Sequence, residues 1–173
     1  MCSLEKLKID LQGLTEEVTA FEWDFDDGYF AALDGVEIHS GTLHVSASIR
    51  KMSGFFELLL HTSGTVDIPC DRCLDLMAQP VVADCRFVVR LGSGGSEDDD
   101  VITVDEEEGI LDTSWLIYES VALAIPIQHV HAPGKCNPAM TQALEKLSAD
   151  RSGDEVSSQP VDPRWEKLKK LKN

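Results

Sequence analysis

The chain has 173 residues, and its 15 Lys and Arg residues against 31 Asp and Glu residues give a net charge of −16. This length suits a single domain, and the 43% share of hydrophobic residues is enough for a buried core, which excludes a wholly disordered protein. Because so acidic a chain repels phosphate backbones, a basic nucleic-acid-binding domain is not the expected class.

The first half of the chain has the alternating pattern of β-strands. Residues 18–25 (VTAFEWDF) alternate apolar and polar side chains and reach a predicted turn at residues 26–28. Four further strand-like runs follow, GTLHVSASIRK, GFFELLLHT, GTVDIPC and PVVADCRFVVRL, and glycine-containing turns at residues 52–54 and 62–64 separate the first three. Because such short turns favour antiparallel pairing, this half predicts an antiparallel, barrel-like sheet.

Residues 92–109 combine a glycine- and serine-rich start with a high density of acids. Eight Asp and Glu residues lie between Glu97 and Glu108, inclusive. Like charges repel one another, and the D-x-D-x-D-G spacing of a calcium loop is not present in this stretch. The sequence therefore predicts a solvated acidic loop.

The second half of the chain changes to helical patterns. The segment DTSWLIYESVALAI predicts a helix that Asp112 or Thr113 caps and that Pro126 ends. A second helix is predicted over residues 138–148, with its apolar side chains on one face. Together with the sheet, these helices predict one α+β domain over residues 1–149.

The C-terminal residues divide into a polar linker and a basic helix. Residues 150–162 have no apolar periodicity and predict a flexible linker. Residues 163–173 predict an amphipathic helix that presents Trp165, Leu168 and Leu171 on one side. The candidate partner-binding residues in this helix are Arg164, Trp165, Lys167, Lys169 and Lys170.

A C-x-x-C pair, Cys70 and Cys73, lies in the stretch IPCDRCLDLM. It allows three interpretations: a redox pair, half of a metal site, or ordinary buried cysteines. A redox pair usually begins a helix, whereas the run before this pair resembles an antiparallel strand and few residues separate it from Pro80. Five cysteines without disulfide-framework spacing, in a chain that starts without a signal-peptide pattern, predict a reducing cytoplasmic location.

The stretch QHVHAPGKCNP offers a second pair of suitable ligands. His131 and Cys136 flank a Pro-Gly turn, which lets both side chains face one ion. With Cys70 and Cys73 they would form a closed Cys3His set, which is typical of structural Zn²⁺. His129 is an alternative fourth ligand.

The remaining chemistry-bearing residues indicate no further site. Cys2 and Cys85 are assigned to none, and His39, His44 and His61 lie in strand runs as surface or core histidines. The sequence has no G-x-S-x-G, no glycine-rich phosphate loop and no H-E-x-x-H, so neither an enzyme nor a small-molecule substrate is indicated. No apolar run reaches the roughly 18 residues of a membrane span.

Several ordered blocks carry a family resemblance. C-x-x-C-L at residues 70–74 precedes the acidic loop, and Asp112 and Glu119 then lead to L-A-I-P at residues 123–126. V-H-x-x-x-x-C at residues 130–136 and the basic Trp/Leu helix follow. In this order the blocks resemble the YceD family, the large ribosomal RNA subunit accumulation proteins, over most of the chain.

The resemblance implies a non-enzymatic bacterial cytoplasmic protein that supports the synthesis, processing or stability of large-subunit ribosomal RNA. The resemblance also groups Cys70 and Cys73 with His131 and Cys136. The expectation that this group holds a zinc ion comes from ligand chemistry and not from the resemblance. The expected partners are ribosomal RNA or ribosomal proteins of the large subunit. The C-terminal cations could contact RNA phosphates. Alternatively, the acidic loop could contact a basic ribosomal protein.

Three alternatives stay open. The C-terminal helix could dock its apolar side on its own domain or on a partner, with its lysines outward. The protein could be an interaction adaptor that does not contact RNA, or a thiol redox protein that uses Cys70 and Cys73.

Overall fold

The computed structural model describes residues 4–33, 38–93 and 101–147. The chain divides into two units, Met1–Thr141 and Gln142–Asn173, and the boundary falls within the last described helix. After a 3-10 turn at Leu4–Leu7, the elements are β1 (Lys8–Asp10), β2 (Val18–Phe25), α1 (Asp27–Leu33), β3 (Ser40–Lys51), β4 (Phe56–Pro69), β5 (Leu76–Leu91), β6 (Val101–Val104), β7 (Ile110–Asp112), α2 (Ser114–Ala124) and α3 (Pro138–Leu147).

The strands form two sheets. Five strands pair in the order β2-β3-β4-β5-β6, and β1 pairs with β7. All neighbours are antiparallel except β5 and β6, which are parallel, so the larger sheet is mixed. The α+β class is confirmed. No pairing between the end strands β2 and β6 closes the sheet within the described residues, so the barrel-like shape stays a prediction.

The core lies on one face of the larger sheet. Alternate residues of β3 and β4 are buried, among them Val45, Ile49 and Leu58. Ile117 and Val121 of α2 belong to the same buried cluster. Because burial of one such aliphatic side chain contributes roughly 1.5–3 kcal/mol, this shared face accounts for the packing of α2 on the sheet.

The predicted turn at residues 62–64 is wrong, because β4 runs unbroken through these residues. Gly64 pairs with Leu43 of β3, and a Cβ atom on Gly64 would overlap the carbonyl oxygen of Thr42. The glycine therefore permits a close approach of two strands and does not mark a turn. The predicted turn at residues 52–54 is confirmed between β3 and β4, where the Met52 N–H donates to the Phe55 carbonyl at 2.9 Å.

Helix α1 lies in the first half of the chain, where the sequence predicted a simple turn at residues 26–28. An Asp26 carboxylate oxygen accepts from the Gly28 N–H at 2.9 Å, and the Asp26 carbonyl accepts from the Tyr29 N–H at 3.0 Å. Asp26 thus begins a short helix, and burial of Tyr29 and Phe30 holds that helix in the core.

Both predicted helices of the second half are present. Thr113 occupies the N-cap position of α2, but its hydroxyl donates to the Leu7 carbonyl at 2.9 Å. The carboxylate of the preceding Asp112 accepts from the Ser114 N–H at 2.9 Å instead. Helix α2 ends at Ala124 because Ile125, the residue before Pro126, is extended.

Parts of the remaining predictions fall outside the described residues. The predicted acidic loop is interrupted by β6, whose four residues pair with the end of β5. The predicted linker at residues 150–162 and the predicted C-terminal helix at residues 163–173 lie outside the described residues.

Candidate metal centre

The C-x-x-C pair occupies the hairpin loop between β4 and β5. The loop closes where the Cys70 N–H donates to the Asp75 carbonyl at 2.9 Å and the Leu74 N–H donates to the Cys70 carbonyl at 2.9 Å. Leu74 adopts a positive φ of 63°, which turns the chain back into β5. A strand, and no helix, therefore follows Cys73, unlike the usual setting of a redox C-x-x-C pair.

The second pair of ligands lies in the irregular segment between α2 and α3. A turn forms where the Lys135 N–H donates to the Ala132 carbonyl at 2.9 Å, and Gly134 takes a φ of 78° within it. His131 and Cys136 lie on the two sides of this turn, as the Pro-Gly sequence predicted.

Cys70, Cys73, His131 and Cys136 converge on one point. Their ligand atoms all lie within 4.8 Å of one another. The Cys70 and Cys136 Sγ atoms are 3.9 Å apart, and the Cys73 Sγ atom is 3.3 Å from Nδ1 of His131. A tetrahedral zinc ion with Zn–S bonds of about 2.3 Å separates two sulfur ligands by about 3.8 Å. Three thiols and one imidazole at these separations fit such an ion.

The surroundings of Cys70 favour the thiolate form that a metal ligand requires. Cys70 and Cys73 are buried, whereas His131 and Cys136 are half-buried. Burial by itself raises the pKa of Cys70, but hydrogen bonds from the backbone N–H groups of His131, Arg72 and Cys73 lower this pKa from 9.0 to about 6. The Arg72 and His131 N–H groups lie 3.4 Å and 3.5 Å from the Cys70 sulfur.

The pKa of the Cys136 thiol is shifted in the opposite direction. Burial raises it, and hydrogen bonds with Cys70 and Cys73 raise it further. Without an ion, these shifts favour the thiolate at Cys70 over the thiolate at Cys136. Metal binding to such a set releases the remaining thiol protons, so its affinity increases with pH.

His129, the alternative fourth ligand, is not a member of the converging group. Its Nδ1 atom lies 3.0 Å from the Pro126 carbonyl, and its Nε2 atom lies 3.4 Å from an Asp71 carboxylate oxygen. The sequence analysis missed this contact of Asp71 with His129. Nothing in the sequence indicates which of the many acids lies beside His129, because 58 residues separate the two.

Within the described residues, the other cysteines and histidines lie outside the Cys3His cluster. Cys85 is half-buried within β5, and Cys2 is outside the described residues. His39 is exposed, while His44 and His61 on the outer sheet face contact Asp24 at 2.8 Å and Asp84 at 2.7 Å. The candidate partner-binding residues Arg164, Trp165, Lys167, Lys169 and Lys170 lie outside the described residues.

The fold and the site define an α+β protein in which a β-hairpin loop and a segment after a helix together present a Cys3His cluster. Residues 58–172 match the family described as large ribosomal RNA subunit accumulation protein YceD. This match spans well over half of the chain and includes all four cluster residues, so the chain belongs to the YceD family. The matched region begins inside β4, and β1, β2 and β3 precede it.

The remaining comparisons add no relatives. Searches of curated proteins and of solved structures gave no match. Within the described residues, no helix has both the length and the apolar character needed to cross a membrane.

Proposed function

We propose that this protein is a non-enzymatic ribosome-biogenesis factor that supports the synthesis, processing or stability of large-subunit ribosomal RNA through binding. The family match carries this proposal, because the family is described by large ribosomal RNA subunit accumulation. The partners would be large-subunit ribosomal RNA or ribosomal proteins in the cytoplasm. No small-molecule substrate is required for this role.

The proposed cofactor is a structural Zn²⁺ ion held by Cys70, Cys73, His131 and Cys136. The donor set supports zinc because three thiolates and one imidazole are soft or borderline ligands, whereas calcium and magnesium prefer oxygen ligands. When bound, the ion would cross-link the β4–β5 loop to the segment after α2. All four coordination positions would be filled by the protein, which suits a structural role.

The C-terminal cations are the proposed contact for RNA or a partner protein. Arg164, Lys167, Lys169 and Lys170 are concentrated in a chain whose net charge is −16. Such a local cluster can contact phosphates although the chain as a whole repels them. The adaptor alternative assigns the same residues, with Trp165, to a protein partner.

Complementation of a depleted strain tests the proposal. Depletion should lower the amount of mature large-subunit ribosomal RNA relative to small-subunit RNA, and the wild-type chain should restore it. Cys136→Ser should fail to restore it because one metal ligand is lost. Cys85→Ser is the matched control, since Cys85 is a half-buried cysteine outside the cluster. Unchanged RNA levels and precursors after depletion would reject the proposed function.

A thiol redox role has one observation in its favour, the lowered pKa of Cys70. A redox pair would need Cys70 and Cys73 but not Cys136, so Cys136→Ser would then complement while Cys73→Ser would not. A structural metal role predicts that both variants fail. Recovery of ribosomal RNA with the tagged protein after ribosomal proteins have been stripped away would count against the adaptor alternative.

A further inference from the structure

The two halves of the metal centre are joined by hydrogen bonds that involve no ligand atom. The Asp71 N–H donates to the His129 carbonyl at 3.0 Å, and the His129 N–H donates to an Asp71 carboxylate oxygen at 2.7 Å. Asp71 lies between the two cysteines of the C-x-x-C pair, and His129 lies two residues before His131. This reciprocal pair of bonds therefore sets the register of one ligand segment against the other.

The His129 ring lies between Pro126 and Asp71. Its Nδ1 atom faces the Pro126 carbonyl at 3.0 Å, which can only accept, so Nδ1 carries the proton of this bond. The Nε2 atom lies 3.4 Å from the second Asp71 carboxylate oxygen, and this contact becomes an ion pair when Nε2 is protonated as well. At the other end of the segment, the Asn137 amide donates to an Asp75 carboxylate oxygen at 3.2 Å.

The segment that carries His131 and Cys136 has little else to hold it in place. The structure describes all of residues 126–137, and none of these residues is buried or belongs to a helix or strand. Apolar burial therefore cannot fix this segment against the hairpin loop. The positions of its two ligands depend on the ion, on the polar contacts made by Asp71 and Asp75, and on the contact of the His131 N–H with the Cys70 sulfur at 3.5 Å.

We propose that Asp71 is a positioning residue for the metal centre: its hydrogen bonds with His129 hold the His131 segment against the C-x-x-C loop when no ion is bound. This inference rests on the proposed metal site. A preassembled set of donors needs less ordering when the ion binds, so the contact should raise metal affinity. Residues that orient metal ligands in this way typically change affinity by about 10–100-fold when mutated.

The test is zinc competition with a chelator on the full chain, with Zn²⁺ alone as the probe. Asp71→Ala removes both carboxylate contacts and should weaken zinc binding by about 10–100-fold. Asp71→Asn keeps an oxygen that accepts from the His129 N–H, so it should restore most of the affinity. Asp84→Ala is the matched control, because it removes a carboxylate 2.7 Å from His61 on the outer sheet face and should leave zinc affinity unchanged.

A second readout separates positioning from a general loss of stability. In metal-free protein, Asp71→Ala should speed amide hydrogen exchange at His129 and His131 but not in β3 or β4. Equal zinc affinity of the wild-type, Asp71→Ala and Asp84→Ala proteins would overturn the positioning role of Asp71 and leave the proposed metal site standing. A wild-type protein that binds no zinc would overturn the metal site itself and this assignment with it.

Discussion

The larger sheet and the metal centre are held together by different interactions. In the sheet, β3 and β4 pair over 12 residues and bury an aliphatic face in which Val45 and Leu58 are 0% exposed. In the metal centre, residues 126–137 contribute half-buried ligands and hydrogen bonds but no buried apolar side chain. The sheet can thus fold through apolar burial, whereas the Cys3His cluster depends on polar contacts and, under the proposed function, on an ion to keep its parts together.

The cysteines show the same difference between the two regions. Burial and the nearby Asp84 carboxylate raise the pKa of Cys85 within the sheet. Cys70 is more deeply buried, yet backbone N–H groups lower its pKa to about 6. Backbone N–H donors directed at the sulfur therefore distinguish Cys70 from Cys85, whereas Cys136, another member of the cluster, has a raised pKa like that of Cys85.

The largest effect should come from removal of the metal. An ion that binds only the folded state adds about 4 kcal/mol to the free energy of unfolding when its concentration is 1,000 times its dissociation constant. Chelation should remove this contribution while the amides of β3 and β4 stay protected from hydrogen exchange. Urea unfolding and hydrogen exchange of zinc-loaded and stripped protein measure both effects. Complete unfolding of the stripped protein would show that the sheet also depends on the ion.

An intermediate effect should follow from a change confined to the sheet. Gly64→Ala places a Cβ atom against the Thr42 carbonyl and should lower the free energy of unfolding by about 1–3 kcal/mol. Ser63→Ala, one residue earlier in the same strand, should change it by less than about 0.5 kcal/mol. Both variants should bind one zinc ion at saturation. Equal stabilities of the two variants, measured by urea unfolding, would contradict the close strand approach.

A third effect is a pH dependence of the metal-free protein. Thiolate absorbance near 240 nm should show one group that titrates near pH 6 in wild-type protein and is lost in Cys70→Ser. Because the pKa of Cys70 in the folded state is below 9.0, its thiolate stabilises the fold fully above pH 9 and loses that contribution as the pH falls through about 6. Cys85→Ser should instead remove a step above pH 9. If the Cys70→Ser variant still showed a titration near pH 6, that titration would belong to another group and the prediction for Cys70 would be wrong.

The sequence predicted the convergence of the Cys3His cluster better than the strand connections. Cys70, Cys73, His131 and Cys136 were predictable because thiol and imidazole chemistry limits the candidates to a few residues. Gly64 was misinterpreted because its close neighbour belongs to another strand, and sequence pattern does not report such approaches.

The features that sequence analysis missed depend on distant partners. Helix α1 has only seven residues, and the burial of Tyr29 and Phe30 in the core stabilises it. Strand β6 forms because it pairs with the far end of β5. Asp71 is one acid among 31, and its role depends on a backbone group 58 residues away.

Metal content per chain is the most direct test of the account. Native mass spectrometry of protein purified without added metal should find one zinc ion per wild-type chain and per Cys85→Ser chain, and none in Cys70→Ser or Cys136→Ser. Wild-type protein that carries no zinc, even after incubation with it, would contradict the account. So would a Cys136→Ser variant that retains zinc as fully as the wild type.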